Sequence, residues 1–197
     1  MEKILLLSLA SIFTAQASEY GELYLATPVE IKSQAIQLSF QTELDNKLHD
    51  VRGLGIAYGY RFNSYLEANL SYYRYSDQKN DFNKSLGDNV NVISAIPEDR
   101  KSVGISFIPL IGQINLLSYS TAQIELGLGA NYGTYTYRNT SKLLINDNKF
   151  YDINFTTNIL IKKDYTLGLK LSRITRSENA KNDTNLNTLD VIFGVRF

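Results

Sequence analysis

The sequence predicts an all-β fold: an eight-stranded antiparallel up-and-down transmembrane β-barrel. Three observations lead there. Eight segments of about ten residues alternate apolar and polar side chains with period two, and about ten residues is what a tilted strand needs to cross a bilayer. The connections between these segments alternate in length: those after Phe62, Leu116 and Ile161 are short, and most of the others are long and polar. The last segment, Leu186 to Phe197, sets Leu189, Val191, Phe193, Val195 and Phe197 against Thr188, Asp190, Ile192, Gly194 and Arg196, and it ends on an aromatic. A period of two puts one of these sets on each face of a strand.

Composition narrows the class. The 197 residues contain 14 Tyr and 9 Phe but no Cys and no Trp, so disulfides, thiolate metal sites and thiol nucleophiles are excluded. Lys+Arg and Asp+Glu are both 20, which leaves no basic footprint for nucleic acid. No run approaches the ~18 apolar residues of a membrane-spanning helix. Lys3, the apolar run from Ile4 to Phe13 and Ala15-Gln16-Ala17 have the form of a secretory signal cleaved after Ala17. The competing reading is a short buried helix. Residues 18–33 are weakly patterned and broken by Pro28, and are read as a periplasmic lead-in to a barrel over 34–197.

The strands follow in order. The first carries Ile36, Leu38 and Phe40 on one face and closes in the polar stretch from Asp45 to Asp50. The second, about Val51 to Phe62, sets Leu54, Ile56, Tyr58, Tyr60 and Phe62 against Gly53, Gly55, Ala57, Gly59 and Arg61. The third sets Leu66, Ala68, Leu70 and Tyr72 against Glu67, Asn69, Ser71 and Tyr73. Keeping both apolar sets on one face pairs Phe62 with Leu66, leaves Asn63-Ser64-Tyr65 as a three-residue turn, and puts Arg61 opposite Glu67. Ser76 to Arg100 is a long outer connection, polar at first and apolar again from Val90 to Ile96, a pattern that suits a strand extension above the membrane rather than a disordered loop. The fourth strand presents Val103, Ile105 and Phe107, then Leu110, Ile114 and Leu116; the parity change calls for a one-residue bulge at Pro109. Leu117 to Thr121 is the next turn.

The fifth strand alternates Ala122, Ile124, Leu126, Leu128, Ala130 and Tyr132 with Gln123, Glu125, Gly127, Gly129 and Asn131. Arg138 to Lys149 is read as a polar loop. The sixth sets Tyr151, Ile153, Phe155, Ile159 and Ile161 against Asp152, Asn154, Thr156 and Asn158, and Lys162-Lys163-Asp164 turns the chain. The seventh sets Tyr165, Leu167, Leu169 and Leu171 against Thr166, Gly168, Lys170 and Ser172. The polar stretch from Arg176 to Asn185 then leads to the last strand.

Period two alone permits two orientations. A water-soluble barrel turns its apolar face inward; a membrane barrel turns it to lipid and fills its lumen with polar groups. Here the polar faces carry Arg61, Glu67, Glu125, Asp152, Lys170, Asp190 and Arg196 among small residues. Eight strands leave an interior just wide enough for side chains, which suits abundant Gly. Tyr58, Tyr60, Phe62, Tyr65, Tyr72, Tyr132, Tyr151, Tyr165 and Phe197 gather toward the ends of the apolar faces, as an interfacial girdle requires. The membrane orientation is therefore expected, with the charges forming an internal plug rather than a pore. Lys170 lies across from Thr156, so its carboxylate must come from elsewhere, with Glu125 and Asp190 as the candidates.

From about Ala35 to Phe197 the chain resembles the small eight-stranded outer-membrane barrels of the OmpA and OmpX type, in topology and in the terminal strand. The stretch Ile124-Glu125-Leu126-Gly127-Leu128-Gly129-Ala130-Asn131-Tyr132 also looks like the fifth strand common in that superfamily. The resemblance implies bacterial outer-membrane location, insertion by the barrel-assembly machinery reading Val191, Phe193, Val195 and Phe197, and contact with outer-membrane lipid and lipopolysaccharide. A monomer without a cofactor is expected, and since the sequence ends at the barrel no periplasmic peptidoglycan-binding domain is expected to follow it. The expected role is structural or surface-interacting, carried by the outer loops.

Two other classes compete with this role. The barrel enzyme that palmitoylates lipid A places His, Asp and Ser at similarly located positions, and His49, Ser76 and Asp77 are the residues that such a lipid-modifying activity would use here. A Ser nucleophile needs a base within hydrogen-bond reach, whereas polar loops contain Ser and Asp by default. The His-x-Ser motif of the lipid A deacylase barrels is missing, since Asp50 and Val51 follow His49. A narrow conduit for small or hydrophobic solutes is the other class. Asp77, Asp81, Asp88, Glu98 and Asp99 make the second outer loop acidic, without EF-hand spacing.

Overall fold

The structure is a computed structural model that describes residues 24–25, 32–45, 49–79, 96–116, 120–138, 144–162, 164–178 and 182–197. Eight strands form the wall: β1 (Gln34–Glu43), β2 (His49–Asn63), β3 (Leu66–Lys79), β4 (Ile96–Leu116), β5 (Ser120–Arg138), β6 (Leu144–Ile161), β7 (Tyr165–Glu178) and β8 (Asn182–Arg196). Each is antiparallel to its neighbour in sequence, and β8 returns to pair with β1 from Ala35↔Arg196 to Glu43↔Thr188, which closes the barrel. The backbone of Phe197 continues the seam, donating to Gln34 O at 2.9 Å and accepting from Gln34 N at 3.2 Å.

Closure fixes the tilt. Following register partners around the wall leads from Leu66 through Phe107, Leu128, Phe155, Leu171, Leu189, Thr42 and Arg52 to Ser76, ten residues further along β3. A stagger of this kind tilts the strands by roughly 35–45° to the axis. The short connections and both ends of the wall lie at one end, called here the turn end; the other is the loop end.

The faces alternate as expected. Ile36, Leu38, Phe40, Leu54, Ile56, Leu70, Val103, Ile105, Leu128, Ile153 and Phe193 are exposed on the outside, while Arg61, Glu67, Glu125, Asp152, Asp190 and Arg196 are buried inside. Glycines on the inner face make room for large neighbours. A Cβ on Gly55 would lie 2.5 Å from the Tyr73 ring, and one on Gly59 would lie 2.8 Å from Glu67 Oε1.

Four local readings change. Asn63, not Phe62, is the register partner of Leu66, with an irregularity between Arg61 and Asn63, so the turn proper is Ser64-Tyr65. Asn63 Oδ1 accepts from the backbone N–H of Tyr65 (2.8 Å) and Leu66 (2.9 Å), an Asx turn that a parity count cannot anticipate. Ser120 and Thr121 belong to β5 rather than to a turn. His49 and Asp50 open β2 rather than lying in a loop. Strands also run into stretches read as loops, with β6 from Leu144, β7 to Glu178 and β8 from Asn182, while β3 to Lys79 and β4 from Ile96 extend into the outer connection as strand. Backbone pairing does not need an apolar face, so the ladder outlasts the hydrophobic pattern. At Pro109, partners jump from Phe107↔Leu128 to Leu110↔Leu126, the single-residue bulge that the parity change requires. Of the lead-in read over 18–33, Tyr24 and Leu25 pair with Gln113 and Gly112 of β4, and the readings for residues 1–23, 26–31, 46–48, 80–95, 117–119, 139–143, 163 and 179–181 lie outside the described residues.

Candidate functional site: the filled lumen

Three layers of side chains fill the barrel. Nearest the turn end, β2 and β3 place Arg61 directly opposite Glu67. The Arg61 guanidinium forks onto Glu125 from β5, at 2.7 Å to Oε1 and 2.8 Å to Oε2, and its Nε reaches Glu67 Oε2 at 3.3 Å. Arg196, from β8, donates to the same Glu67 oxygen at 3.0 Å and lies 4.0 Å from Glu125 Oε2. Gln123 Nε2 donates to Glu125 Oε1 at 2.9 Å. Two cations and two carboxylates thus form one neutral cluster spanning the bore, with every side chain at most 10% exposed. The bidentate fork is the geometry that makes Arg–carboxylate pairs strong and directional.

The middle layer answers the question left open for Lys170. It stands between Thr156 and Asp190 in register, and Asp190 is its partner at 2.9 Å. Lys170 Nζ also donates to the Tyr73 hydroxyl at 3.0 Å. Asp152 has no cation partner among the described residues; it accepts from Asn131 Nδ2 (2.7 Å) and Asn154 Nδ2 (2.8 Å).

Toward the loop end the interior turns aromatic. Tyr73, Tyr75, Tyr135 and Phe150 pack with Val51, Ile174 and Leu186 in one buried cluster. Arg100 is enclosed in it, its guanidinium 4.1 Å from the Tyr73 ring centroid and 5.6 Å from that of Phe150. Arg176 lies 4.9 Å from the Tyr135 centroid and pairs with Glu43 at 3.2 Å. Cation–π contact gains strength where water is excluded. The sequence reading puts Tyr73 on the polar face but does not single out Arg100, Arg176, Glu43 or the other rings, although Tyr75 shares the parity of Glu67 and Tyr135 that of Glu125.

The alternative catalytic residues lie toward the loop end of β2 and β3. The ladder sets Ser76 opposite Arg52, whereas His49 is opposite Lys79 and Val51 opposite Asp77. Ser76 is exposed on the outer face. The side chains of His49 and Asp77 lie outside the described ones. Among the described residues no group of three or more His, Cys, Asp or Glu is placed to hold a metal ion. Val191, Phe193, Val195 and Phe197 all point outward along β8, at the seam with β1.

An outward apolar band, inward charges that are mutually neutralised and a closed ladder define a membrane-spanning barrel of the outer-membrane class. The short-turn end is then the periplasmic one and the loop end the outer one. No protein-family model matches the chain, and no curated protein matches it in sequence. Among solved structures, the chain is similar to Neisserial surface protein A (14% identity, 85% of this chain and 98% of that one, TM-score 0.46). It is also similar to Ail, the attachment invasion locus protein of Yersinia pestis (14%, 86% and 100%, 0.40). A third is the outer membrane protein OprG of Pseudomonas aeruginosa (13%, 87% and 99%, 0.40).

Proposed function

We propose that the chain is an outer-membrane barrel with a sealed lumen and a structural or surface-interaction role, exported by a leader cleaved after Ala17. The carrying observation is the burial of the lumen. Arg61, Glu125, Arg196, Asp190, Tyr135 and Phe150 would be in contact with water if a channel ran past them, and each is at most 5% exposed. Interaction is then left to the outer connections, above all the stretch from Ser76 to Arg100, at whose ends β3 runs to Lys79 and β4 starts at Ile96 on paired backbone. Loops on a rigid scaffold are a common seat of binding. A lipid-modifying enzyme is the less favoured reading, because the register separates Ser76 from His49.

Conductance of the purified protein in planar bilayers tests the seal: the expected trace matches bare membrane, and discrete current steps would overturn it. Mass profiles of lipid A from cells with and without the protein test the enzyme alternative. The expected profiles are identical, and an acyl difference that His49→Ala abolishes would reverse the preference. Assembly gives a further expectation. Deleting Phe197 removes the outward aromatic at the seam, so folded protein in cells should fall several-fold while refolding of purified protein changes little. An unchanged cellular yield would argue against recognition at this end.

A further inference from the structure

Most lumen charges are paired, whereas three cations of the outer wall have no partner among the described residues. Arg52, Arg74 and Lys101 face outward on β2, β3 and β4 and are exposed. None of them makes an ion pair or side-chain hydrogen bond among the described residues. Ser76 is the register partner of Arg52, and Arg74 is two residues from Ser76 toward the turn end. Asp99 is the register partner of Arg74, and Lys101 is again two residues toward the turn end. Diagonal neighbours of this kind lie about 7–8 Å apart, within reach of long side chains.

Depth follows from the stagger. Ten residues over eight strands means that a line parallel to the membrane drops a little over one residue at each step from β2 to β3 to β4. The three cations therefore sit at closely similar depth. Among the described side chains the acid beside them is Asp99, which accepts from Thr136 Oγ1 at 3.3 Å, and three cations against it leave a net positive charge. Directly toward the membrane centre lies an apolar groove of about 670 Å³ on the same outer face, lined by Ile56, Tyr58, Leu70, Tyr72, Val103 and Tyr132, with Lys101 at its rim.

We propose that this face of β2–β4 is a binding site for a phosphorylated lipid of the outer leaflet, whose phosphates meet Arg52, Arg74 and Lys101 and whose acyl chains lie in the groove. The chemistry is matched at both ends. Arg forks fit phosphate oxygens, Lys adds a point charge, and Tyr72 and Tyr132 stand at headgroup depth between the two regions. An uncharged lipid would leave three cations without counterions at the membrane surface. The inference rests on the membrane-spanning orientation and not on the role proposed for the outer loops.

The test uses the full barrel in uncharged detergent micelles, with heat-modifiable gel migration confirming that each variant is folded. Native mass spectrometry then measures binding of diphosphorylated lipid A and of the same lipid with both phosphates removed. The wild type should bind the diphosphorylated form at least tenfold more tightly. Arg74→Gln with Lys101→Gln should abolish that preference. Arg173→Gln, which removes an exposed outward cation on β7 far from the groove, should retain it. If the double variant does not fold, Arg52→Gln and the wild-type comparison of the two lipids carry the test. Equal binding of the two lipids by the wild type, displacement by millimolar inorganic phosphate, or the same loss in Arg173→Gln would overturn the proposal.

Discussion

Replacing Glu125 with leucine should destabilise the folded barrel by about 3–5 kcal/mol, the scale for leaving a buried charge without its partner. Glu125 takes both arms of the Arg61 fork, at 2.7 and 2.8 Å. Without it, Arg61 and Arg196 must share Glu67 through one oxygen, at 3.3 and 3.0 Å, and a net positive charge remains in a buried layer. Removing both partners is the informative control. Glu125→Leu combined with Arg61→Met leaves Arg196 and Glu67 as a neutral pair, and replacing a complete buried pair by apolar residues is often close to neutral. Urea unfolding in lipid vesicles should therefore show the double variant more stable than the single one. A double variant as unstable as the sum of two single losses would mean that the cluster is not acting as one charge-balanced unit.

The second large effect should come from Tyr73→Ala, at about 3–5 kcal/mol by analogy with other deletions of a buried ring. This side chain holds the middle and outer layers together. Its ring lies under Arg100 at 4.1 Å, stacks with Tyr75 at 6.3 Å between centroids, and its hydroxyl accepts from Lys170 at 3.0 Å. Tyr73→Phe keeps the ring and removes only the acceptor, and should cost about 1.5–3 kcal/mol, the range for hydrogen bonds to charged groups. The same unfolding measurement checks the order. Equal losses for Phe and Ala would assign the whole effect to the hydroxyl and remove the case for Arg100 resting on the ring.

The wall was legible in the sequence because its rule is local. One face meets lipid, so Ile153 and Phe155 must share a parity and Asp152 and Asn154 the other, and a shift of one residue would reverse them all. The same rule puts Arg61 across from Glu67, as the register has them. The limits have physical causes too. Glu125 reaches Arg61 across the bore from β5, and pairing across a lumen depends on stagger and side-chain length, which alternation within a hairpin does not encode. Tyr75 and Tyr135 are hidden by their chemistry, since a tyrosine suits either a headgroup girdle or a buried polar interior; Tyr73 is placed inward by alternation, but its contacts with Arg100 and Lys170 are not. The strand ends were misjudged where the apolar pattern fades, as at Leu144 and Asn182, because hydrogen bonding continues without it.

The central claim, that the apolar face meets lipid while the charged face fills a sealed bore, is tested most directly along β6. The chain has no cysteine, so single substitutions at positions 151 to 156 can each carry one spin label without background. In lipid bilayers, collision with dissolved oxygen, which concentrates in the hydrocarbon, should be high at 151, 153 and 155 and low at 152, 154 and 156. Access of a water-soluble relaxation agent should be low at all the inward positions. Oxygen access in the opposite phase, or strong water access at 152 and 154, would contradict the orientation and the sealed lumen together.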